Sequence, residues 1–190
     1  MSNLHIETLD RRNIIDTDAR AIAELLVRVW PRPEKTVETR TADLMNYWKD
    51  YRGPEAEFPR ALVIRENGRV IAHAAALPRT IGTSAGDITI MALAQVCSDP
   101  DLRGRGLGDA VVRAAFDTVD HGPFTQSLFQ TSYKVQPFYE KLGACLVTNR
   151  IVNSLGEDPA KNPFWDEIVM RYPAAKPWPT GDIDLRGPGY

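Results

Sequence analysis

The spacing of apolar residues predicts two helices near the start of the chain. Residues at intervals of three and four lie on one face of a helix. The first such set is Ile22, Leu25, Leu26 and Val29. Asp16 or Asp18 can cap the N-terminus of this helix, and the prolines within residues 30–35 end it. A second and weaker set predicts a helix over residues 37–51: Leu44, Tyr47, Trp48 and Tyr51.

Shorter apolar runs, several of which alternate apolar with polar residues, predict the strands. They cover residues 4–9, 60–67, 69–77, 88–98, 123–130 and 145–153. Asn67 and Gly68 lie between the second and third of these runs and are a strong signal for a tight hairpin, because both residues tolerate a positive φ. Residues 164–172 fit a helix or a strand, and we favour a strand that pairs with residues 145–153.

Two more helices follow a glycine-rich segment. The first carries an apolar stripe and ends near Gly122: Val112, Ala115, Phe116 and Val119. The second is short, covers residues 132–144, has Pro137 near its first turn and closes at Gly143. The element order is therefore β-α-α-β-β-β-α-β-α-β-β. This order predicts an α/β (α+β) fold with a mixed central sheet and helices on both faces.

The chain is predicted to form one domain over residues 1–172, followed by a Pro/Gly-rich tail over residues 173–190. The tail is unusually apolar for a solvated terminus, and Pro177 and Pro179 restrict the backbone around Trp178. We expect it to pack on the body of the domain or on a second subunit, with Trp178 as its anchor. A homodimer is therefore left open.

Composition excludes several classes of protein. The formal net charge is −2, so the chain lacks the basic character of a nucleic-acid-binding domain. It has no apolar run long enough for a membrane span, and its N-terminal residues lack a basic-then-apolar signal. Two cysteines form neither a disulfide framework nor a zinc site. We therefore expect a cytoplasmic protein without a metal, and no nucleic-acid or membrane partner.

The segment CSDPDLRGRGLGD, residues 97–109, places glycines and arginines at the start of a predicted helix. A helix N-terminus offers unpaired N–H groups, glycine lets an anion approach them, and arginine adds a donor for phosphate. The Walker pattern is absent, and a dinucleotide pattern counted from Gly104 would need glycine at Asp109. The alternative is a tight turn that needs glycine only for its geometry.

At these residues the chain resembles the GNAT-type N-acetyltransferase superfamily. Arg103, Gly106 and Gly108 match its [Q/R]-x-x-G-x-[G/A] motif. The segment PFYEKLGA, residues 137–144, matches its second block, with Ala144 in place of an aromatic residue. The resemblance implies a GNAT-like fold with a largely antiparallel sheet, and acetyl-CoA as the cosubstrate.

The resemblance also implies which residues bind the coenzyme. Backbone groups of the loop and helix start would hold the pyrophosphate: Arg103, Gly104, Arg105, Gly106, Leu107, Gly108 and Asp109. The backbone of the preceding strand would hold the pantetheine arm: Val96, Cys97 and Ser98. Asp109 would repel phosphate if its carboxylate faced inward, so we expect its side chain to point outward.

Two residues are candidates for proton transfer. Tyr139 matches the family tyrosine that protonates the leaving thiolate, and its alternative role is packing under the helix. His73, on a central strand, has a suitable ordinary pKa to deprotonate the acceptor, and its alternative is a hydrogen-bonded strand residue. Residues 90–95 carry no carboxylate base, so a water chain is a further possibility. Cys97 is interpreted as a small buried residue rather than a nucleophile.

The resulting expectation is direct transfer of an acetyl group from acetyl-CoA to an amine in a ternary complex. The acceptor is a small molecule or a peptide, and a small amine, a peptide N-terminus, a lysine and an antibiotic all stay open. The alternative is a CoA-binding sensor or interaction module without turnover.

Overall fold

The computed structural model describes residues 4–190, so the first three residues of the N-terminal stretch considered above lie outside it. The chain divides into two compact units. The first unit holds the residues up to Leu77 together with Ala94–Asp117. The second holds Pro78–Leu93 and Thr118–Tyr190.

Regular elements follow one another in an order close to that predicted. The helices are α1 Asp16–Val29, α2 Val37–Lys49, α3 Leu107–Asp120 and α4 Gln136–Lys141. The strands are β1 Glu7–Leu9, β2 Arg60–Glu66, β3 Arg69–Thr83, β4 Gly86–Ser98, β5 Ser127–Thr131, β6 Cys145–Leu146, β7 Ile151–Val152, β8 Ile168–Tyr172 and β9 Ile183–Asp184. The fold is mixed α/β, with a largely antiparallel sheet flanked by helices, which confirms the predicted class.

The first unit is built on an antiparallel ladder. Strand β1 pairs with β2, and β2 pairs with β3 across the predicted hairpin. Asn67 and Gly68 have φ values of 52° and 78°, the left-handed conformation that such a turn requires. Helices α1 and α2 bury their apolar faces in one core with alternate residues of β2, Ala61 and Val63.

The cap of α1 differs from the prediction, whereas no cap was predicted for α2. Ile15, not Asp16 or Asp18, occupies the capping position of α1. Asp18 contributes from the third helical position, where its carboxylate accepts a hydrogen bond from the Ile15 N–H at 3.2 Å. Thr36 caps α2 through its hydroxyl, which accepts from the Thr39 N–H at 3.3 Å.

The second unit centres on β5. This strand pairs in parallel with β4, at Met91↔Ser127 and Ala92↔Leu128, and antiparallel with β8 over its whole length. Strand β8 also pairs with β6, so the predicted pairing of residues 164–172 with residues 145–153 is confirmed. The predicted strand over 145–153 is interrupted, and its second part, β7, pairs in parallel with β9.

Residues 173–190 pack within the second unit, as predicted for the tail. Trp178 is half-buried, its indole N–H donates to Asn149 Oδ1 at 2.9 Å, and Arg171 lies over its ring. Ile183 and Leu185, rather than Trp178, are the residues with no exposed surface. The choice of Trp178 as the main anchor was therefore wrong, because the apolar burial is concentrated at and beside β9.

Candidate functional site

The glycine loop connects β4 to α3 in the first unit. Gly104 and Gly106 have φ values of 80° and 74°, which side-chain-bearing residues rarely adopt. Gly108 lies in the first turn of α3 with an ordinary helical φ. A Cβ built on any of the three meets no atom of the described chain within 4 Å. The turn therefore needs two glycines for its conformation, and the outer side of all three is open to a ligand.

The start of α3 supplies hydrogen-bond donors to that open side. The Ala110 N–H bonds to the Gly106 carbonyl at 3.0 Å and closes the first turn. The N–H groups of Leu107, Gly108 and Asp109 precede this bond and have no intrahelical acceptor. These donors lie at the positive end of the helix dipole. The loop thus fits the pyrophosphate of a coenzyme.

Charged side chains around the loop differ in whether they are already paired. Arg105 forms an ion pair with Glu66, with 2.8 Å between Nη2 and Oε1. The Asp109 carboxylate accepts from Arg113 at 2.8 Å, and its side chain is half-exposed. Arg103 has no carboxylate within ion-pair distance among residues 4–190, so its guanidinium is available to a phosphate.

The end of β4 departs from regular strand geometry. Gln95 has a φ of 53°, which is uncommon for a residue other than glycine and marks an irregularity in the strand. Beyond it, Val96 and Ser98 are half-buried, and Cys97 is 6% exposed. Burial raises the pKa of the Cys97 thiol to about 12. The thiol is therefore protonated at neutral pH, which favours its interpretation as a small buried residue.

His73 is fully buried on β3 and supports this irregularity. Its Nδ1 lies 3.0 Å from the Gln95 carbonyl, so Nδ1 carries the proton and donates. Its Nε2 is buried and has no partner among the described residues. Burial lowers the pKa of His73 to about 4, so the ring is neutral at pH 7. This geometry favours the hydrogen-bonded strand residue over the general base.

Tyr139 lies on α4 in the second unit. Its ring packs against Phe129 and Phe138, at centroid distances of 4.6 and 4.9 Å, and the residue is 5% exposed. Its hydroxyl has no hydrogen-bond partner in the described part of the chain. Burial raises the pKa of this hydroxyl above its ordinary value, and the negative charge of Asp166 adds to the effect. The phenol is therefore protonated at neutral pH and can act as a donor.

The backbone of Asp166, whose charge contributes to the raised pKa of Tyr139, is held by hydrogen bonds that the sequence does not reveal. The Asp166 and Trp165 N–H groups both donate to Gln130 Oε1, at 2.9 and 2.8 Å. The Gln130 amide nitrogen donates to the Tyr190 carbonyl at 2.7 Å. One side chain of β5 thus fixes both the segment before β8 and residue 190. The available signal in the sequence is an acidic pair between Trp165 and Ile168, within the segment that fits a strand or a helix.

The family model of the acetyltransferase (GNAT) domain matches residues 10–147, which is well over half of the chain. The chain belongs to the GNAT acetyltransferase family. The matched range includes both motifs on which the resemblance was based. No curated protein matches the chain.

Solved structures of GNAT proteins share this fold at low identity. An N-acetyltransferase from Escherichia coli, determined in complex with CoA, has a TM-score of 0.64 and 16% identity, over 97% of this chain and 92% of that one. Glucosamine-6-phosphate N-acetyltransferase from Arabidopsis thaliana has a TM-score of 0.57 and 19% identity, over 75% and 91%. A Trypanosoma brucei acetyltransferase has a TM-score of 0.54 and 22% identity, over 73% and 92%.

The described part of the GNAT chain has neither a candidate metal centre nor a membrane-spanning helix. No group of His, Cys, Asp and Glu side chains within residues 4–190 has an arrangement that could hold a metal ion. In the same range, no helix combines the length and apolar character needed to cross a bilayer.

Proposed function

We propose that the protein transfers an acetyl group from acetyl-CoA directly to the nitrogen of an amine acceptor in a ternary complex. The observation that carries this proposal is the open glycine backbone at the start of α3, within the range matched by the GNAT family model. Acetyl-CoA would supply an acyl group activated as a thioester, with a thiolate as its leaving group.

The coenzyme site would combine three kinds of contact. Backbone N–H groups over residues 103–109 would hold the pyrophosphate, and the Arg103 guanidinium would add charge. Arg105 would contribute through its backbone, because its side chain is paired with Glu66. The backbone of Val96, Cys97 and Ser98, beyond the irregularity at Gln95, would bind the pantetheine arm. The CoA-bound structural neighbour supports this assignment at the level of the fold.

Tyr139 would hold the proton required by the leaving thiolate. Its hydroxyl is protonated at neutral pH and is not bonded to another described group, so it is free to donate. His73 as general base stays a prediction. Its bond to Gln95 and its complete burial also give it a structural role, and a water chain is the alternative route by which the acceptor proton would reach solvent.

The test is an acceptor screen at saturating acetyl-CoA, with free thiol and acetylated amine measured together. Equal amounts of the two products are expected for an acceptor. Binding of acetyl-CoA without acetylation of any amine would instead identify a CoA sensor.

Substitution of Tyr139 by Phe removes only the hydroxyl and tests its assigned role. We expect kcat to fall on the order of 10²-fold, while the Kd for acetyl-CoA stays within about twofold of wild type. The same substitution at Tyr133, which is 65% exposed, is the matched control. A Tyr139→Phe enzyme that turns over at the wild-type rate would reduce Tyr139 to a packing residue.

A further inference from the structure

A buried carboxylate lies between the end of β4 and the glycine loop. Asp99 follows the last residue of β4 and precedes a single helical turn, Pro100–Leu102, which leads directly to Arg103. The Asp99 side chain is only 4% exposed. A carboxylate at this depth has lost most of its hydration, so its charge has to be balanced by partners within the protein.

The Asp99 carboxylate has partners in three different parts of the first unit. Its Oδ1 accepts a hydrogen bond from the Asp101 N–H at 3.0 Å, within the turn itself. The same oxygen lies 3.3 Å from Nη2 of Arg28, in the last turn of α1. Its Oδ2 accepts from Nη2 of Arg69, the first residue of β3, at 3.1 Å. One side chain thus joins the turn before the glycine loop to a helix and to a strand.

The backbone of Asp99 strengthens this attachment. Its N–H donates to the Ile71 carbonyl of β3 at 2.8 Å, and its carbonyl accepts from the Leu102 N–H at 3.0 Å. The chain is therefore held up to the residue before Arg103.

The glycine loop has few backbone bonds of its own. In the part of the chain that the structure describes, no backbone carbonyl accepts from the N–H groups of residues 103–105. The first bond of α3 begins at the Gly106 carbonyl. The position of the donors over residues 103–109 is therefore set from the two ends of the loop, by the turn at Asp99 and by α3.

A neutral side chain at position 99 would be sufficient for the turn alone. Asn or Ser also supplies an oxygen that can accept from the N–H two residues ahead. A buried ion pair is often no more stabilising than neutral groups of the same size. What the charge adds at Asp99 is direction, because each carboxylate oxygen is paired with an arginine that belongs to a different element.

We propose that Asp99 is a positioning residue for the coenzyme and acts through the backbone of the glycine loop. The proposal rests on the proposed acetyltransferase function. Asp99 contacts no substrate in this role. Through Arg28 and Arg69 it holds the N–H groups over residues 103–109 where the pyrophosphate oxygens accept from them. Donors that are fixed before the ligand arrives bind it more tightly than donors that must be ordered on binding.

Calorimetric titration with acetyl-CoA and amide NMR of the free protein test this role. Asp99→Asn keeps an oxygen for the Asp101 N–H and removes the charge. We expect its Kd for acetyl-CoA to rise at least about tenfold, since displacement of binding groups by about 1 Å can cost up to about 100-fold. The amide signals of the three loop glycines should shift or broaden, whereas those of Gly86 and Gly181 in the second unit should not.

Asp101→Asn is the matched control, because the Asp101 carboxylate is 76% exposed and also pairs with Arg28. Its Kd for acetyl-CoA should stay within about threefold of the wild-type value. If Asp99→Asn does not fold, Arg69→Gln removes one of the two arginine partners at a side chain that is 64% exposed. That variant should raise the Kd at least about threefold.

A wild-type Kd in Asp99→Asn, or NMR changes of equal size in the loop glycines and in those of the second unit, would show that Asp99 serves only the fold. The same conclusion follows if Asp101→Asn weakens binding as much as Asp99→Asn. A wild-type protein that binds no acetyl-CoA would overturn the proposed function, and the coenzyme role of Asp99 with it, even where the loop amides respond to the substitution.

Discussion

Replacement of Gly108 by Val separates the two explanations of the glycine loop. Gly108 has a helical φ, and a Cβ there meets no described atom within 4 Å. The motif accepts Ala at this position, so the substitution must place more than one methyl group on the backbone. Because Val is no less favourable than Gly in a helix, the free energy of unfolding should stay within about 1 kcal/mol of the wild-type value. For a chain of this size, 1 kcal/mol corresponds to about 2–4 °C in Tm.

The branched side chain should interfere with the coenzyme. A phosphate oxygen that accepts from a backbone N–H lies about 3 Å from the nitrogen, in space that the two γ-methyl groups would share. Loss of one charge-assisted hydrogen bond costs about 1.5–3 kcal/mol, or roughly 10- to 200-fold in affinity. Gly108→Val is thus expected to weaken acetyl-CoA binding without loss of stability, an uncommon combination for a structural defect.

Calorimetric titration with acetyl-CoA and thermal unfolding measure the two effects. Gly86→Val is the control, because Gly86 has a φ of 106° at the start of β4, at the other end of that strand from the glycine loop, and no described atom within 4 Å of its Cβ. That variant should lose stability and keep its affinity. Wild-type affinity in Gly108→Val would refute the reasoning and leave the glycines a role in turn geometry alone.

Three further predictions concern charge, pH and the tail. Arg103→Ala should weaken acetyl-CoA binding about tenfold by calorimetry, but Arg105→Ala less than about threefold, because Arg105 is already paired with Glu66; equal losses would contradict this difference. Burial lowers the pKa of His73 from 6.5 to about 4, so the unfolded state takes up the proton first as the pH falls. The lowered pKa of His73 should reduce the free energy of unfolding by about 2 kcal/mol between pH 7 and pH 5. Urea titrations of His73→Gln should show a smaller loss over the same pH range. Ile183→Ala should cost about 2–5 kcal/mol in the same assay, and a cost below about 1 kcal/mol would show that the tail is not part of the core.

Features determined by local chemistry could be predicted from the sequence. The β2–β3 hairpin follows from Asn67 and Gly68, whose conformational tolerance does not depend on distant residues. Strand β3 was predicted to stop at residue 77, immediately before Pro78. The strand instead continues to Thr83, and the strand after it begins at Gly86. Strand β9 was missed because two residues carry no periodic pattern and its partners are distant in sequence.

The residues of the candidate site also differ in whether the sequence alone could reveal them. The glycine loop and Tyr139 belong to short contiguous motifs, so their spacing alone marks them. The fixed position of the Asp166 backbone is a tertiary property, because its N–H donates to Gln130, 36 residues away in sequence. The lack of an ion-pair partner for Arg103 among residues 4–190 is similarly a tertiary property. A sequence cannot show that Glu66 forms its ion pair with the neighbouring Arg105.

The late position of β9 in the chain has a consequence during synthesis on the ribosome. Gly82 pairs with Asp184, and Arg186 pairs with Asp87 across 99 positions of sequence. At a synthesis rate of about 5–20 residues per second, the tip of the β3–β4 hairpin waits on the order of 5–20 s for these partners. During that interval the nascent chain presents an unpaired strand edge, which is a template for contact with other chains. We therefore expect this edge of the second unit to be open to unwanted strand pairing for several seconds of synthesis.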